Sequence, residues 1–174
     1  MRTIFKGSLF DILAVETFDE SGAARSFEYI STRDVVRVYA ITPCKTKMYV
    51  IKEKPPGLED LQVRVVSGGI EPSESAEQAA IRELEEECGI RCSSAERFHT
   101  SWQSSKILNP IQYFVAWDCK IVASTNKEYF EDIETVLEDL TAINDSIYNN
   151  FFHEDSVSFG FVKLIKAYNL LNNL

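Results

Sequence analysis

Residues 68–90 read GGIEPSESAEQAAIRELEEECGI, and this stretch constrains the chain more than any other. Glu83, Glu86 and Glu87 are spaced i, i+3, i+4, which puts three carboxylates on one helical face. Like charges so close repel, so the face needs counter-charge. Arg82 supplies part of it, and a divalent metal would supply the rest. Mg2+ takes oxygen ligands, keeps several waters and reaches for phosphates. Gly68 and Gly69 allow a sharp, closely approaching backbone before the helix. Ser73 or Ser75 reads as the helix N-cap, and Gly89 as the residue just past its end. Ala76, Ala79, Ala80, Ile81, Leu84 and Cys88 give a small-residue side that can lie tightly on a sheet. Taken alone, a Glu-rich helix is most often only a solvated face.

Around this stretch the chain alternates strands and helices. A bulge or break at Gly7 interrupts the strand-forming run 3–18, and residues 24–31 return as its partner. Strands are expected over 34–42, 48–52, 61–66, 95–102 and 133–137, with one long apolar strand over 111–122. Asp139 fits as N-cap of a helix over 140–148. A last helix starts at Ser156, with Phe159, Val162, Leu164, Ile165, Tyr168 and Leu171 as its apolar stripe. The pattern is α+β, a mixed-sheet sandwich in one domain of 174 residues. An N-terminal hairpin arm takes residues 1–32 and a body residues 33–174.

The formal net charge of −9 argues against unspecific nucleic-acid binding. It leaves room for an anionic small substrate, because a bound metal inverts the local charge. No apolar run reaches the roughly 18 residues of a membrane span, and the first residues lack a signal-peptide pattern. Cys44, Cys88, Cys92 and Cys119 form no CxxC pair and suit no zinc spacing. They are expected to be reduced thiols in a cytoplasmic protein.

Gly68, Glu74, Arg82, Glu83, Leu84, Glu86, Glu87, Gly89 and Ile90 match the Nudix box, Gly-x5-Glu-x7-Arg-Glu-(apolar)-x-Glu-Glu-x-Gly-(apolar), at every fixed position. The chain thus resembles the Nudix hydrolases over about residues 33–171. The resemblance implies an α/β/α sandwich with the box helix packed on a mixed sheet. It also implies metal-dependent hydrolysis of a pyrophosphate bond in a nucleoside diphosphate derivative. Outside the box the chain looks most like the ADP-ribose and nucleotide-sugar pyrophosphatases, through the N-terminal hairpin, the order of segments and the C-terminal run EDIETVLEDL. That subfamily implies release of a nucleoside monophosphate and a sugar phosphate, and a homodimer whose arms exchange.

The same resemblance implies site roles. Glu83, Glu86 and Glu87 would be ligands of Mg2+ (or Mn2+), with the carbonyl of Ser67 as a further one. Gly68, Glu74 and Arg82 would support them from behind. A box glutamate, or a glutamate from a late loop, would act as general base, and Glu131 fits that place best, with Glu128 second. Tyr29, Phe27 and Trp102 are candidates for an adenine slot, although each type packs more often into a core. Arg33, Arg37 and Lys106 are candidates to meet phosphates. His99 and His153 are isolated and are expected to be structural. Three departures weigh on the subfamily. Glu53-Lys54-Pro55 stands where the family carries a substrate-contacting arginine. Val65-Val66-Ser67-Gly68 replaces Leu-Pro-Ala-Gly, and Pro110 lies farther beyond the box than the proline typical of ADP-ribose enzymes. A dinucleotide or coenzyme A substrate, or a nucleotide-sensing Nudix domain without catalysis, are the alternatives.

Overall fold

The structure is a computed structural model that describes residues 1–55, 57–122 and 133–171. Its central strand is β4 (Val35–Ile41). Successive side chains of a strand point to opposite faces. Val36, Val38 and Ala40 therefore join one buried cluster, with Ala79, Ala80, Leu84 and Cys88 of α1 (Ala76–Cys88). Tyr39 and Ile41 join the other, with Leu140 and Ile143 of α2 (Leu140–Ser146) and Val157, Phe161 and Leu164 of α3 (Asp155–Tyr168). The result is three layers: α1, a mixed sheet, then α2 and α3. This is the expected α+β, α/β/α arrangement.

The sheet runs β12 (Ile133–Asp139), β5 (Lys47–Glu53), β4, β10 (Ile111–Trp117), β9 (Ser94–Ser101). β10 lies parallel to β4, and the other pairs are antiparallel. The edge of β4 is shared between two partners. β5 takes its C-terminal end, at Ala40 and Ile41. β7 (Val66–Gly69) takes its N-terminal half, setting Gly69 opposite Val35 and Gly68 opposite Val36. β6 (Gln62–Arg64) stays with β5. The sheet therefore forks, and the fork carries the two glycines to the start of α1.

In the body the expected elements are met with four differences. The strand expected over 61–66 is divided between β6 and β7. The expected strand 111–122 ends at Trp117, where Asp118 adopts a left-handed conformation (φ 55°). Beyond it β11 (Lys120–Ile121) pairs with β8 (Ile90–Arg91), outside the main sheet. The helix expected over 140–148 is α2 followed by a 3-10 turn, Ile147–Asn149, and Asp139 occupies the N-cap without a side-chain capping bond. In α3 the buried face is Val157, Gly160, Phe161 and Leu164, whereas Phe159 and Val162 of the expected stripe stay 47% and 44% exposed.

The arm is a three-stranded antiparallel sheet of β1 (Arg2–Lys6), β2 (Asp11–Phe18) and β3 (Ala24–Ser31), so it exceeds a hairpin by one strand. The break falls at Gly7, whose N–H donates to the carbonyl of Phe10 at 3.0 Å. β3 meets the body through the loop before β10. Ile30 N–H donates to Lys106 O at 2.8 Å, and Leu108 N–H donates to Ile30 O at 2.9 Å.

Candidate active site

The local sequence fixes where α1 begins and ends. Ser75 accepts from the N–H of Gln78, and the Gln78 side chain accepts from the N–H of Ser75, forming a capping box. Gly89 closes the helix in the left-handed region (φ 61°), its N–H donating back to the carbonyls of Leu84 and Glu85. With both ends pinned, the side chains of Arg82, Glu83, Glu86 and Glu87 have fixed starting points beside the glycine loop.

Arg82 is the hub of this loop. Its guanidinium donates to both carboxylate oxygens of Glu74 (2.7 and 3.1 Å), to Glu83 (2.9 Å), to Glu86 (2.9 Å) and to the carbonyl of Gly69 (3.0 Å). Only the planar, five-donor fork of arginine can meet so many acceptors at once. The bond from Arg82 holds Glu74 below the usual carboxylate range, and Glu74 also accepts from the N–H of Glu71 at 2.9 Å. One arginine thus fastens the loop to the helix.

Glu83 lies beneath the loop. A Cβ on Gly68 would fall 1.8 Å from Glu83 Oε1, so the missing side chain at 68 is the space the carboxylate fills. Burial pushes the Glu83 carboxyl up, and the charge of Arg82 opposes that shift. Glu86 is exposed, while Glu87 is partly buried with its Oε2 hidden from solvent. Ser67 lies in β7 opposite Arg37, one residue before Gly68. Among the described residues no group of three His, Cys, Asp or Glu side chains is gathered closely enough to enclose a metal. The donor set still fits a hard divalent ion. All of its atoms are oxygens, the three carboxylates lie along one helical face beside the glycine loop, and Mg2+ needs few protein ligands because it keeps its waters.

Of the remaining sequence candidates, Arg33 lies against the loop: a Cβ on Gly69 would meet its Cδ at 3.4 Å. Arg37 is only 4% exposed and is engaged elsewhere, donating to Glu154 and to Ser156 at the start of α3. Tyr29 and Phe27 sit on the arm, each with Lys106 Nζ 5.2 Å from its ring centre, which makes one cation–π cluster of the three. Trp102 is 62% exposed. Glu128 and Glu131 lie outside the described residues. His99 packs against Tyr113 and Phe159, and His153 Nδ1 accepts from the N–H of Val63 at 3.0 Å.

Two features beside the loop went unread in the sequence. The first is a chain of charge behind β7. Glu154 accepts from Arg64 at 2.7 and 3.0 Å as well as from Arg37, and Arg64 also pairs with Glu53. The second is Asn109. Its Oδ1 accepts from the N–H of Thr32 at 2.8 Å and its Nδ2 donates to Asp34 at 2.9 Å, while the Asp34 carbonyl accepts from Ile70 N–H at 2.8 Å. Asn109 thereby ties the end of the arm to the glycine loop. The Asn-Pro pair at 109–110 signals a turn but gives no hint of partners more than 70 residues away.

This geometry agrees with three comparisons. The NUDIX domain family model matches residues 31–151, a span that contains the whole box. The ADP-ribose pyrophosphatase of Bacillus subtilis (strain 168) is 26% identical over 148 residues, covering 82% of this chain and 80% of that protein. A crystal structure of an ADP compounds hydrolase superposes with a TM-score of 0.83 at 23% identity, over 99% of this chain and 94% of that one, and bears on the fold. The family match spans well over half of the chain and encloses a box complete at every fixed position, so the protein belongs to the Nudix family and is a Nudix pyrophosphohydrolase.

Proposed function

We propose that the protein hydrolyses the pyrophosphate of a nucleoside diphosphate derivative, with ADP-ribose or another nucleotide sugar as substrate. The products would be a nucleoside monophosphate and a sugar phosphate. The observation that carries the reading is the complete carboxylate face of α1 held against Gly68 by Arg82. The similarity to an ADP-ribose pyrophosphatase supports the substrate class.

Nudix enzymes generally use divalent metals. Here Glu83, Glu86, Glu87 and the Ser67 carbonyl would hold Mg2+ or Mn2+. Such an ion neutralises pyrophosphate charge and activates the attacking water. Arg82 keeps Glu83 and Glu86 aimed and the loop closed on them, while Glu74 fixes Arg82 in turn. Removing such a supporting contact usually costs about 10–100-fold in metal affinity or activity. Arg33 is the cation best placed to meet substrate phosphate, being exposed and against Gly69. Tyr29, with Phe27 and Lys106 beside it, offers an aromatic wall for a base. Arg37 would act through its neighbours, since it is buried in an ion pair. Glu131, with Glu128 second, is proposed as general base on the family resemblance alone.

The chain is read as one domain that pairs with a second copy. Phe5, Leu9, Phe10 and Phe18 of the arm are 44–82% exposed, an apolar surface that a partner arm would cover. A cytoplasmic setting is part of the same reading, and all four cysteines are free thiols. Among the described residues no helix is long and apolar enough to cross a membrane.

The test is release of AMP or phosphate from ADP-ribose, ADP-glucose, other nucleotide sugars, NADH, dinucleoside polyphosphates, coenzyme A and nucleoside triphosphates. Each is assayed with Mg2+ and with Mn2+, beside Glu87→Gln. The reading expects turnover of ADP-sugars and a loss of about 100-fold or more in the variant. Turnover of dinucleotides or coenzyme A alone would replace the substrate class. Absence of all turnover, with a nucleotide still raising the melting temperature, would make the protein a sensor. Size-exclusion chromatography with light scattering tests the dimer.

A further inference from the structure

Cys92 and Cys119 lie in the gap between two antiparallel ladders, both against the cluster beneath α1. On the inner side of this gap Ser94 pairs with Trp117 and Ala95 with Ala116, in the β9–β10 ladder. On the outer side Arg91 pairs with Lys120 and Ile90 with Ile121, in the β8–β11 ladder. The offset between the strands is the same in both ladders. Counting inward, Ser93 and Cys92 come level with Asp118 and Cys119, although the ladder is interrupted there: Asp118 is left-handed, and Ser93 N–H donates to the Trp117 carbonyl at 2.8 Å. Ser93 Oγ donates to Asp118 Oδ2 at 2.7 Å, which ties the two strands together across the interruption. Cys119 is fully buried in the cluster beneath α1, Cys92 is partly buried and packed against that cluster, and Cys92 lies near enough for its charge to act on the Cys119 thiol.

Residues directly opposite on antiparallel strands have Cα atoms about 4.5–5.5 Å apart and side chains on the same face. A disulfide requires a Cα separation of about 4.4–6.8 Å. Two cysteines brought level on neighbouring antiparallel strands fall within the reach of a cross-strand disulfide. Burial raises both thiols above the ordinary cysteine value, so both rest protonated at neutral pH.

We propose that Cys92 and Cys119 form a reversible dithiol/disulfide site, oxidised by a low-molecular-weight disulfide. Cys92 is the entry point, because it is the partly exposed member. Its thiolate attacks the external disulfide RSSR, breaking the S–S bond, forming Cys92–S–SR and releasing RS−. The Cys119 thiol gives its proton to the released RS−, attacks the Cys92 sulfur and expels the second RS−, which takes the proton first lost by Cys92. Two protein thiols are oxidised, and one RSSR is reduced to two RSH. The bond fastens the strand that leaves the box helix through Gly89 and Ile90 to the strand that leaves β10. It leaves the carboxylate face of α1 untouched, so it stands or falls independently of the substrate.

The experiment treats the full-length protein with oxidised glutathione, blocks remaining thiols with N-ethylmaleimide and digests with trypsin. Arg91 separates Cys88 from Cys92, and Arg97 and Lys106 separate Cys92 from Cys119, so each thiol falls on its own peptide. The expected product is the 92–97 peptide joined to the 107–120 peptide, released by dithiothreitol, while exposed Cys44 carries glutathione as a mixed disulfide. Cys88→Ala is expected to retain the joined peptides. Cys92→Ser is expected to leave Cys119 as the maleimide adduct or unmodified, and to lose the few-degree rise in melting temperature that oxidation gives the wild type. The proposal is overturned if Cys92 stops at the glutathione adduct with Cys119 unoxidised, or if the Cys88 peptide takes the place of either partner.

Discussion

The carboxylate of Glu83 occupies the place where a side chain at Gly68 would begin, with Oε1 1.8 Å and Cδ 1.9 Å from an ideal Cβ. Gly68 also lies in β7, paired with Val36, so the backbone cannot retreat without breaking the sheet fork. The carboxylate is the end of a flexible side chain and can move instead. Gly68→Ala is therefore expected to fold and to lose function. Displacing a reacting group by about 1 Å can cost about 100-fold in rate. The expected result is a fall of that order in kcat with a melting temperature within a few degrees of wild type. Gly69→Ala is the contrast, since its Cβ would meet Arg33 at 3.4 Å, an ordinary contact, and its loss should be much milder.

Arg82→Lys tests the hub. Lysine keeps the charge but offers one ammonium where Glu74, Glu83, Glu86 and the Gly69 carbonyl now share a planar fork. The carboxylates are expected to splay, with a loss of about 10–100-fold in metal affinity. Isothermal titration with Mn2+ beside steady-state kinetics reads it. A larger metal requirement that saturating metal partly rescues is the expected signature. An unchanged metal dependence would mean that Arg82 does not aim the glutamates.

How much of this was legible in the sequence depends on range. The C-terminal end of α1 was, and its start was narrowed to Ser73 or Ser75, because Gly89 and the capping serine act within five residues and the constraint is local; the capping box with Gln78 selects Ser75. The face of α3 was read in part: Leu164, Ile165, Tyr168 and Leu171 pack on the core, whereas Phe159 and Val162 do not, for a reason in the residues themselves. Val157, Phe159, Phe161, Val162, Leu164 and Ile165 place apolar groups around most of the helix, so periodicity does not choose a side. Gly160 does, since its missing side chain lets the helix settle onto Tyr39 and Tyr113. The end of β10 was missed because the apolar run continues past Asp118, whose left-handed backbone has only a weak sequence signal. At the site, the box glutamates and Arg82 could be named from spacing. The partners of Arg37 could not, because Glu154 and Ser156 are more than 110 residues away.

Gly160→Ala is expected to destabilise the fold. An added Cβ would lie 2.1 Å from the Tyr39 hydroxyl and 2.7 Å from a Tyr113 ring carbon, both fully buried. The Tyr39 hydroxyl donates to the Val157 carbonyl at 2.6 Å, so it is not free to swing away. Overpacking of this kind costs about 1–3 kcal/mol. For a chain of this length that lowers the melting temperature by roughly 2–12 °C. Scanning calorimetry reads it, and an unchanged melting temperature would mean that α3 lifts from the sheet without cost.

The Glu154 network predicts a pH dependence of stability. Burial would raise the Glu154 carboxyl, but the charges of Arg37 and Arg64 outweigh it and hold the group below its ordinary value. A lowered folded pKa contributes stability that is complete above the unfolded value, about 4.3 for glutamate, and is lost as pH falls through the folded value. Arg37 is 5% exposed in its side chain, so Glu154→Gln strands a buried guanidinium. Breaking a buried pair costs about 3–5 kcal/mol. The lower part of that range applies because Glu154 is 28% exposed and Ser156 still accepts from Arg37. Urea unfolding at pH 7 is expected to show the variant clearly weaker. The gap should narrow as pH drops below about 4, because the wild type then loses the same charge. A gap that stays constant down to pH 3 would mean that Glu154 contributes by hydrogen bonding alone.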